Sequence, residues 1–575
     1  MAHIRTYQQL LALEPTDPEE QLLKCATAGE HCIFNDGHLP EPEQYGACEI
    51  RPEFLRYLIL GGCDECPVDT RGIWLEGAYI SGGLDLNYVS TSAVLSLFAC
   101  KFQSPLYLQQ SKFHLLVLSD SAFSGLHAQG IAVQDSVLMN GAQITGSVDI
   151  AGATIGGQLS LVGAKISTQS RFAISAHSAD IRGGIFLHPR TEEEQDKVMA
   201  PFCATGEIYL VSAKLGGLFA ENTKLTGLAN SKSLTARNMS VNGDVKLGGC
   251  IATGEVKLAG SQIAGDLSCA GATFQNANGH AFNGQRMRVD QSFIWKKVDN
   301  PQGKVSLNGA HVGELDDDPA NWPDAGNLHL DGFTYDRIRG KVSTSPARKE
   351  WLLNGSLYKD QFFPQPYTQY AKFLRDTGHD AQSRKVLLTR ERMVRRYERK
   401  EFGPLLRAWR YFWDGLQLVV VGHGHAPFWS LGWLALLIVL ATIPAHKTWE
   451  EGSFAPNSSP VLISQGWQRL QASAPNPAQV WSGDTEPAGW SPAPRDPSWS
   501  MTAPGRDWET FNRYAYAADI VIPLINFGQT EAWAPSTTRG QWGWHLWWLR
   551  WVFTVFGWIV TALGAAAITG IIRRE

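Results

Sequence analysis

Residues 254–274 read Gly254-Glu-Val-Lys-Leu-Ala-Gly-Ser-Gln-Ile-Ala-Gly265-Asp-Leu-Ser-Cys-Ala-Gly-Ala-Thr-Phe274, and they contain one phrase twice. Each copy starts at a glycine, alternates apolar with polar residues, and then returns to a glycine followed by a small, a polar and an apolar residue. Further copies start at Gly146, Gly157 and Gly243, so the phrase recurs at a step of eleven residues.

The alternating runs predict very short strands. A run such as Val148-Asp-Ile150 places every second side chain on one face. Strands this short bury enough apolar surface only when coil stacks on coil. The sequence therefore predicts a mainly β fold, a right-handed parallel β-helix (β-solenoid) over residues 71–340, with about a dozen coils of roughly 20 to 22 residues.

The repeat has a second, longer period and leaves the cross-section of the solenoid open. A looser superrepeat links Gly206, Gly254 and Gly303 at steps of 48 and 49 residues. The pattern does not distinguish a three-sided from a four-sided cross-section. An all-β sandwich is the alternative fold, although its strands are usually longer and its turns less regular.

The ends of a solenoid expose unpaired strand edges, which other chains can pair with, so both ends need a cover. Residues 1–70 contain helix-like segments and are predicted to form an N-terminal helical cap. At the other end we expect the cover to be the loops around Asp316–Asp318 and Asp331–Tyr335.

Two uncharged apolar runs lie near the C-terminus, at Phe428–Ala445 and Trp551–Ile572. The second has 22 residues and would measure about 33 Å as a helix, enough to cross about 30 Å of hydrocarbon. The sequence therefore predicts one transmembrane helix within 416–446 and a second, with a short cytoplasmic tail, within 542–575.

A basic helical neck is predicted between the solenoid and the first apolar run, over residues 341–415. Tyr367–Lys400 has the pattern of a helical hairpin interrupted at Gly378. Its second helix carries basic side chains expected to lie on an anionic inner leaflet, or else only to set the topology. These membrane-surface candidates are Arg392, Arg395, Arg396, Arg399 and Lys400.

Charge also predicts the orientation of the chain. Ten Lys or Arg but only three Glu lie between residues 384 and 410, whereas residues 447–541 contain six Lys or Arg and nine Asp or Glu. The start of the chain shows no secretory signal pattern. Because positive flanking segments remain inside, both termini are predicted to be cytoplasmic and 447–541 extracytoplasmic.

The segment 447–541 is rich in Trp and contains an apolar stretch, Tyr514–Gln529, that is too short to cross a membrane and is broken by Pro523. Such a stretch predicts a short interfacial or re-entrant helix. Its polar residues are candidates for a pore lining or an interface: Asp519, Asn526 and Gln529.

Composition and motifs exclude several classes of function. A net charge of −5 argues against a globally basic nucleic-acid binder.

The nine cysteines all lie in the first half and predict reduced thiols. Cys63 and Cys66 form one CxxC, a weak candidate for metal or redox chemistry, because no second CxxC stands at a zinc-ribbon spacing. No cofactor is predicted.

Several stretches together resemble a family of bacterial pentapeptide-repeat-like membrane proteins. They are the eleven-residue phrases, Asp331–Tyr335, the hairpin Tyr367–Gly378, His425–Pro427, Ile522–Gln529 and Trp533–Pro535. The repeats are also similar to those of bactofilin-type proteins, although strict pentapeptide repeats step by five residues. The resemblance implies a bacterial inner membrane. Members are often labelled membrane-associated oxidoreductases, but this sequence has no flavin, nicotinamide or haem motif.

These observations lead to one functional hypothesis and two alternatives. The first is a non-enzymatic, membrane-anchored scaffold or sensor whose solenoid binds an unknown protein partner, and which could form a homo-oligomer. One alternative is an oligomeric two-span ion channel or membrane-permeabilising effector gated by the solenoid. The other is an oxidoreductase, which rests on the family label alone.

Overall fold

The computed structural model describes residues 4, 6–192, 197–228, 232–339, 346–359, 361–398, 413, 415–422, 426–463, 465 and 506–569. The chain divides into two compact units, Met1–Arg390 and Glu391–Glu575.

The first unit is built around a parallel β-solenoid of about 11 turns, as predicted. Its strands form two large sheets in which every pairing is parallel. The first sheet has 20 strands: Cys32–Ile33, Gly72–Glu76, Val94–Phe98, Lys112–Phe113, Leu115–Val117, Ala132–Val133, Val137–Leu138, Thr154–Ile155, Gln158–Ser160, Asp180–Ile181, Gly184–Phe186, Lys214–Leu215, Leu218–Phe219, Ser240–Val241, Val245–Lys246, Gln262–Ile263, Leu267–Ser268, Arg288–Trp295, His311–Asp317 and Thr334–Ile338.

The second sheet has 17 strands: Glu49–Ile50, Tyr79–Ile80, Lys101–Phe102, Leu106–Tyr107, Ala122–Phe123, Leu126–His127, Gln143–Ile144, Val148–Asp149, Lys165–Ser175, Cys203–Tyr209, Lys224–Thr226, Lys232–Thr235, Ile251–Thr253, Glu255–Lys257, Thr273–Asn283, Gln302–Ser306 and Leu328–His329. Among the described residues, four antiparallel pairs lie outside these sheets: Gly62–Cys63 with Cys66–Pro67, Arg190–Glu192 with Lys197–Ala200, Leu357–Tyr358 with Gln361–Phe362, and Phe454–Pro456 with Trp533–Pro535.

The pairing register explains the eleven-residue step. Gln143 pairs with Lys165 and Ser240 pairs with Gln262, a step of 22 residues in each case. One coil therefore consists of two phrases, and each phrase contributes one strand to each sheet: Val148–Asp149 belongs to the second sheet and Thr154–Ile155 to the first. Each phrase supplies two strand positions, so a regular coil has four sides. Apolar side chains such as Ile144 stack inward along the coils and are buried.

The glycine superrepeat marks one corner of the second sheet. Gly206, Gly254 and Gly303 have φ angles of +118°, +122° and +128°, a region that side-chain-bearing residues rarely adopt. Opposite Gly206 stand four residues, 168–171, and opposite Gly303 stand another four, 276–279. Tight coils thus alternate with inserted ones, and two coils make the period of 48 or 49 residues.

Three helices occupy the N-terminal end, together with two strands of the large sheets and the antiparallel pair Gly62–Cys63 and Cys66–Pro67. The helices are α1 (Tyr7–Leu11), α2 (Asp17–Ala28) and α3 (Pro52–Ile59). Short 3-10 turns lie at Asn35–Gly37 and Pro42–Ala47. Cys32–Ile33 and Glu49–Ile50, between the helices, are the first strands of the two sheets. The predicted cap region therefore also contributes the first, incomplete coil.

The C-terminal end differs from the expectation. Asp316 and Asp317 lie within the strand His311–Asp317, and the last coil is covered instead by α4 (Pro346–Gly355) and α5 (Gln365–Asp376). Gln365 Nε2 donates to the Phe333 carbonyl at 3.1 Å, and Gln369 Nε2 donates to the Tyr335 carbonyl at 2.7 Å. Helical side chains thus satisfy backbone groups of the final coil, with which no later strand pairs in the described part of the chain.

The predicted hairpin is formed by α5 and α6 (Asp380–Glu398). Ala371 and Leu374 of α5 and Val386 of α6 are buried. Ala381 is exposed, and Ser383 is buried instead, donating its hydroxyl to the Ala371 carbonyl at 2.7 Å.

The second unit contains α7 (Trp429–Glu450), α8 (Ser459–Leu462), α9 (Arg513–Val521), α10 (Gln529–Ala532) and α11 (Gln541–Ile568). Both α7 and α11 are long and apolar enough to cross a membrane. The strand Phe454–Pro456, which follows α7, pairs with the strand Trp533–Pro535, which precedes α11. We call the end of α7 and α11 where Glu450 and Gln541 lie the connector end.

Candidate functional site

Cys63 and Cys66 face each other across a two-residue turn in the N-terminal cap. Cys66 is buried, and burial raises the pKa of its thiol. The pKa of Cys63 is lowered, first by the neighbouring Tyr57 hydroxyl and then by backbone amides. Within the described part of the chain, no group of three or more His, Cys, Asp or Glu has metal-binding geometry. The metal assignment of this pair stays a prediction.

The basic candidates on α6 have different surroundings. Arg392 and Arg396 are exposed and lie four residues apart, on one face of the helix. Arg395 is largely buried and donates to Glu391 and to Gln417, both at 2.9 Å. Its charge is therefore partly neutralised within the protein. Arg399 and Lys400 lie outside the described residues.

The two long helices expose apolar side chains to their surroundings. Only 22% of the most apolar stretch of α7, and 28% of the most apolar stretch of α11, is buried. A core helix of a soluble protein would be mostly buried. The exposed large side chains include Leu431, Val439 and Ile443 on α7, and Trp551, Val555, Trp558 and Ile568 on α11. Such a surface is suited to hydrocarbon.

The short helix α9 packs against both long helices. Its Ala517 and Val521 are fully buried against Ala441 of α7. On α11, a Cβ at Gly557 would overlap the Val521 carbonyl oxygen, so glycine permits direct contact with the α9 backbone. Thr554 Oγ1 also donates to the Ile520 carbonyl at 3.2 Å. Small residues therefore let three helices approach closely, a common feature of helix packing in membranes.

The C-terminal end of α9 lies beside the apolar runs of α7 and α11, at least one helical turn in from the ends of these runs nearest the connector end. At 1.5 Å per residue, Ala441 lies about 6 Å along α7 from Ala445, and Gly557 lies about 9 Å along α11 from Trp551. The chain then turns back through an exposed apolar loop that includes Leu524, Ile525 and Phe527. A short helix followed by a returning loop fits an interfacial as well as a re-entrant element, so the assignment made for Tyr514–Gln529 stays a prediction.

The three polar candidates of this segment hold its loop together. Asp519 accepts hydrogen bonds from the amides of Phe527, Gln529 and Thr530. Gln529 is 3% exposed; its Oε1 accepts from Asn512 N at 2.8 Å, and its Nε2 donates to Glu509 at 3.1 Å. These bonds give backbone groups of the loop partners within the protein.

Asn526 is also engaged within the loop. Its Nδ2 donates to Glu531 Oε1 at 2.8 Å, and its Oδ1 accepts from Gly528 N at 2.7 Å. All three pore candidates therefore have a structural explanation in a single chain. A pore or interface function for them stays a prediction.

An aromatic cluster at the connector end was not singled out by the sequence analysis. Trp449 stacks on Phe511 with ring centroids 4.5 Å apart and meets Trp533 edge-on at 5.3 Å. Phe454 and Tyr516 complete the contacts, with centroids 5.0 Å apart. These residues are distant in sequence, so only the high Trp content of the segment could have indicated the cluster.

Comparisons of the chain with protein-family models, with curated proteins and with solved structures found no match.

Proposed function

We propose that this protein is a membrane-anchored scaffold or sensor, in which α7 and α11 cross a bilayer and the solenoid binds a protein partner. The observation that carries the proposal is the exposed apolar surface of α7 and α11, on the same chain as a solenoid of about 11 turns. A solenoid presents long regular side faces, which other repeat proteins use for binding.

The side faces are better candidates for the interaction than the ends. At the N-terminal end α1, α2 and α3 contribute buried apolar residues, and at the C-terminal end α4 and α5 bond to the last coil. Stacking of solenoids end to end would require these helices to move away. We therefore propose that a partner, or a second copy of the chain, contacts a side face.

We further propose the bacterial inner membrane as the location, with the solenoid and both termini cytoplasmic. The basic residues before the first span and the acidic balance of 447–541 support this orientation. The anionic inner leaflet would then lie close to Arg392 and Arg396 of α6, which are exposed.

Membrane insertion is tested by adding charge to the exposed apolar faces. Val555→Arg together with Val439→Arg should convert the protein from resistant to extractable when membranes are washed with alkaline carbonate. Arginine in a membrane core costs about 2.5 to 3.5 kcal/mol per site on insertion scales. Tyr88→Arg, at a 76% exposed solenoid position, is the matched control and should leave the wild-type behaviour unchanged. Carbonate extraction of the wild type would contradict the proposal.

The binding function is tested with photo-crosslinking amino acids at exposed solenoid positions in the full-length chain. Lys112 and Lys214 probe the first sheet, while Lys224 and Ile251 probe the second. A single defined product obtained from one sheet and not the other would support a side-face partner. Products from none of the positions would contradict it. Ion conductance removed by Asp519→Ala would favour the channel alternative, and cofactor absorbance in the purified protein would favour the oxidoreductase.

A further inference from the structure

A cleft of about 370 Å³ opens at the inserted corner of the second sheet. We call it the corner cleft; it is lined by Arg171, Glu207, Lys232, Glu255, Asn276, Gly279 and His280. Its volume lies in the range of small-molecule sites. The walls come from five successive coils, three inserted and two tight, so the alternation that produces the glycine superrepeat also produces the cleft.

Glu207 is a buried carboxylate with an unused oxygen. Its side chain is 1% exposed, and Oε2 accepts from Arg171 Nε at 2.9 Å. Oε1 is buried and has no hydrogen-bond partner. Gly206 places the residue here, because the tight corner turns the following side chain into the space left by the inserted coils. A buried carboxylate oxygen without a donor is unfavourable, so an occupant of the cleft is expected to donate a hydrogen bond to it.

Lys232 needs an anionic partner, whereas Glu207 needs a hydrogen-bond donor. It lies on the coil between those of Glu207 and Glu255, and its strand position pairs with that of Glu255. Among the described residues, no carboxylate lies within ion-pair distance of its Nζ atom, whereas Glu255 accepts from Asn283 Nδ2 at 2.9 Å and has Lys257 Nζ at 3.9 Å. An occupant is therefore expected to offer an anionic group to Lys232.

The remaining wall is polar but uncharged. The Nδ1 atom of His280 is buried and unpartnered, and burial lowers the pKa of this imidazole although the charge of Glu255 opposes the shift. Asn276 fixes the inserted turn by donating to the His280 carbonyl at 2.8 Å. The lining has two carboxylates and two basic side chains, so their charges cancel. Neither a simple cation nor a simple anion therefore matches the charge of the cleft.

We propose that the corner cleft binds a small zwitterion with a primary ammonium and a carboxylate group, as in a free α-amino acid. The ammonium group donates to Glu207 Oε1 and the carboxylate accepts from Lys232. A divalent cation is disfavoured because Arg171 and Lys232 stand beside the carboxylates. This inference goes beyond the scaffold proposal and does not depend on it.

The test is a binding screen on the full-length protein in detergent micelles. The probes are the twenty amino acids, each hit being repeated with its deaminated acid and its decarboxylated amine, and calorimetry gives the affinities. Magnesium chloride and glucose are included as probes of a metal site and a sugar site. We expect at least one amino acid to bind, and loss of either charged group to weaken it by about tenfold or more, because hydrogen bonds to charged groups are strong.

Variants locate the site. Glu207→Gln and Lys232→Met should each weaken binding by about tenfold or more. Lys214→Met is the matched control, since Lys214 lines a groove of similar size in the first sheet, and it should bind as the wild type does. Lys232 is only partly buried, so its variant tests the site even if Glu207→Gln impairs folding. Binding of no amino acid, equal binding of the amine alone, unchanged binding by Lys232→Met, or binding of magnesium or glucose instead would overturn the proposal.

Discussion

Arg348 and Asp317 form a bidentate ion pair inside the C-terminal cap of the solenoid. Nη2 of Arg348 lies 2.7 Å from Oδ1 of Asp317, and Nη1 lies 3.0 Å from Oδ2. The side chains are 7% and 0% exposed. Trp322 Nε1 donates to the same carboxylate at 2.8 Å. The pair therefore joins α4 to the strand His311–Asp317 and fastens the cover of the last coil.

Arg348→Met should loosen this cap, because it leaves the Asp317 carboxylate buried without its cation. Breaking a buried pair costs about 3 to 5 kcal/mol, which corresponds to a factor of a hundred or more in local opening. Hydrogen exchange of the α4 amides should accelerate accordingly. Arg339→Met is the matched control: Arg339 also pairs with Glu314 and Asp316, but its side chain is 61% exposed, and exposed pairs contribute about 1 kcal/mol or less. Equal effects of the two variants would contradict this account.

Gly557→Val should displace α9 from the two long helices. A Cβ at this position overlaps the Val521 carbonyl oxygen, which belongs to the backbone and cannot rotate away. We expect new protease cleavage within residues 506–535 of the protein in micelles. Gly432→Val on α7 has no atom within 4 Å of the added Cβ and should leave cleavage unchanged. Protection of the segment in Gly557→Val would show that α9 does not need this contact.

Asp519→Asn should release the loop that follows α9. The carboxylate accepts from three amides, and an asparagine offers one oxygen in place of two. A buried donor left without a partner costs about 1 to 3 kcal/mol, so exchange of the Gln529 and Thr530 amides should accelerate by about tenfold to a hundredfold. Glu531→Gln, which loses only its charge toward Asn526, should change exchange much less. Unchanged exchange in Asp519→Asn would remove the structural function assigned to this residue.

Acid should weaken the N-terminal cap through Glu19. Burial alone would raise the pKa of this carboxyl, but the Arg51 guanidinium and the amides of Thr16 and Arg51 outweigh it, and the pKa lies below the ordinary value of 4.5. A lowered pKa means that the stabilisation is complete above pH 4.5 and is lost as the pH falls through the folded-state value.

Glu19→Gln should therefore lower the unfolding temperature most at neutral pH, and its difference from the wild type should shrink below pH 4.5. Glu20→Gln is the control, because Glu20 is exposed and its pair with Lys24, at 3.8 Å, is exposed as well. A difference that stays constant from pH 7 to pH 3 would contradict the assigned ion pair.

The solenoid could be predicted because its physics is local and repeated. A phrase such as Gly146–Ile155 specifies its own strand positions and its own corner, and stacking repeats the same solution. The C-terminal cap could not be predicted in the same way. The sequence indicated a covering loop around Asp316–Asp318, and only the return of α4 with Arg348, 31 residues later, makes Asp317 a buried ion-pair residue.

The polar residues of the second unit show the same limit. Asp519, Asn526 and Gln529 were identifiable as unusual in an apolar stretch, but whether they line a pore or hold a loop depends on partners that lie up to 20 residues away. The corner cleft was not predictable at all. Glu207 and Lys232 become neighbours because inserted and tight coils alternate. The glycine spacing of the superrepeat indicates that alternation, but it does not indicate which side chains meet.

The amino-acid sequence by itself determined the solenoid, its eleven-residue period and the two apolar helices, because periodicity and apolar length act within a few residues of one another. Tertiary structure alone decided the four-sided coil, the helical cover of its last turn, the contact of α9 with Gly557 and the pairing of Glu207 with Arg171. These features join residues that are far apart along the chain, and no local pattern specifies which distant group will satisfy a buried charge or occupy the space beside a glycine.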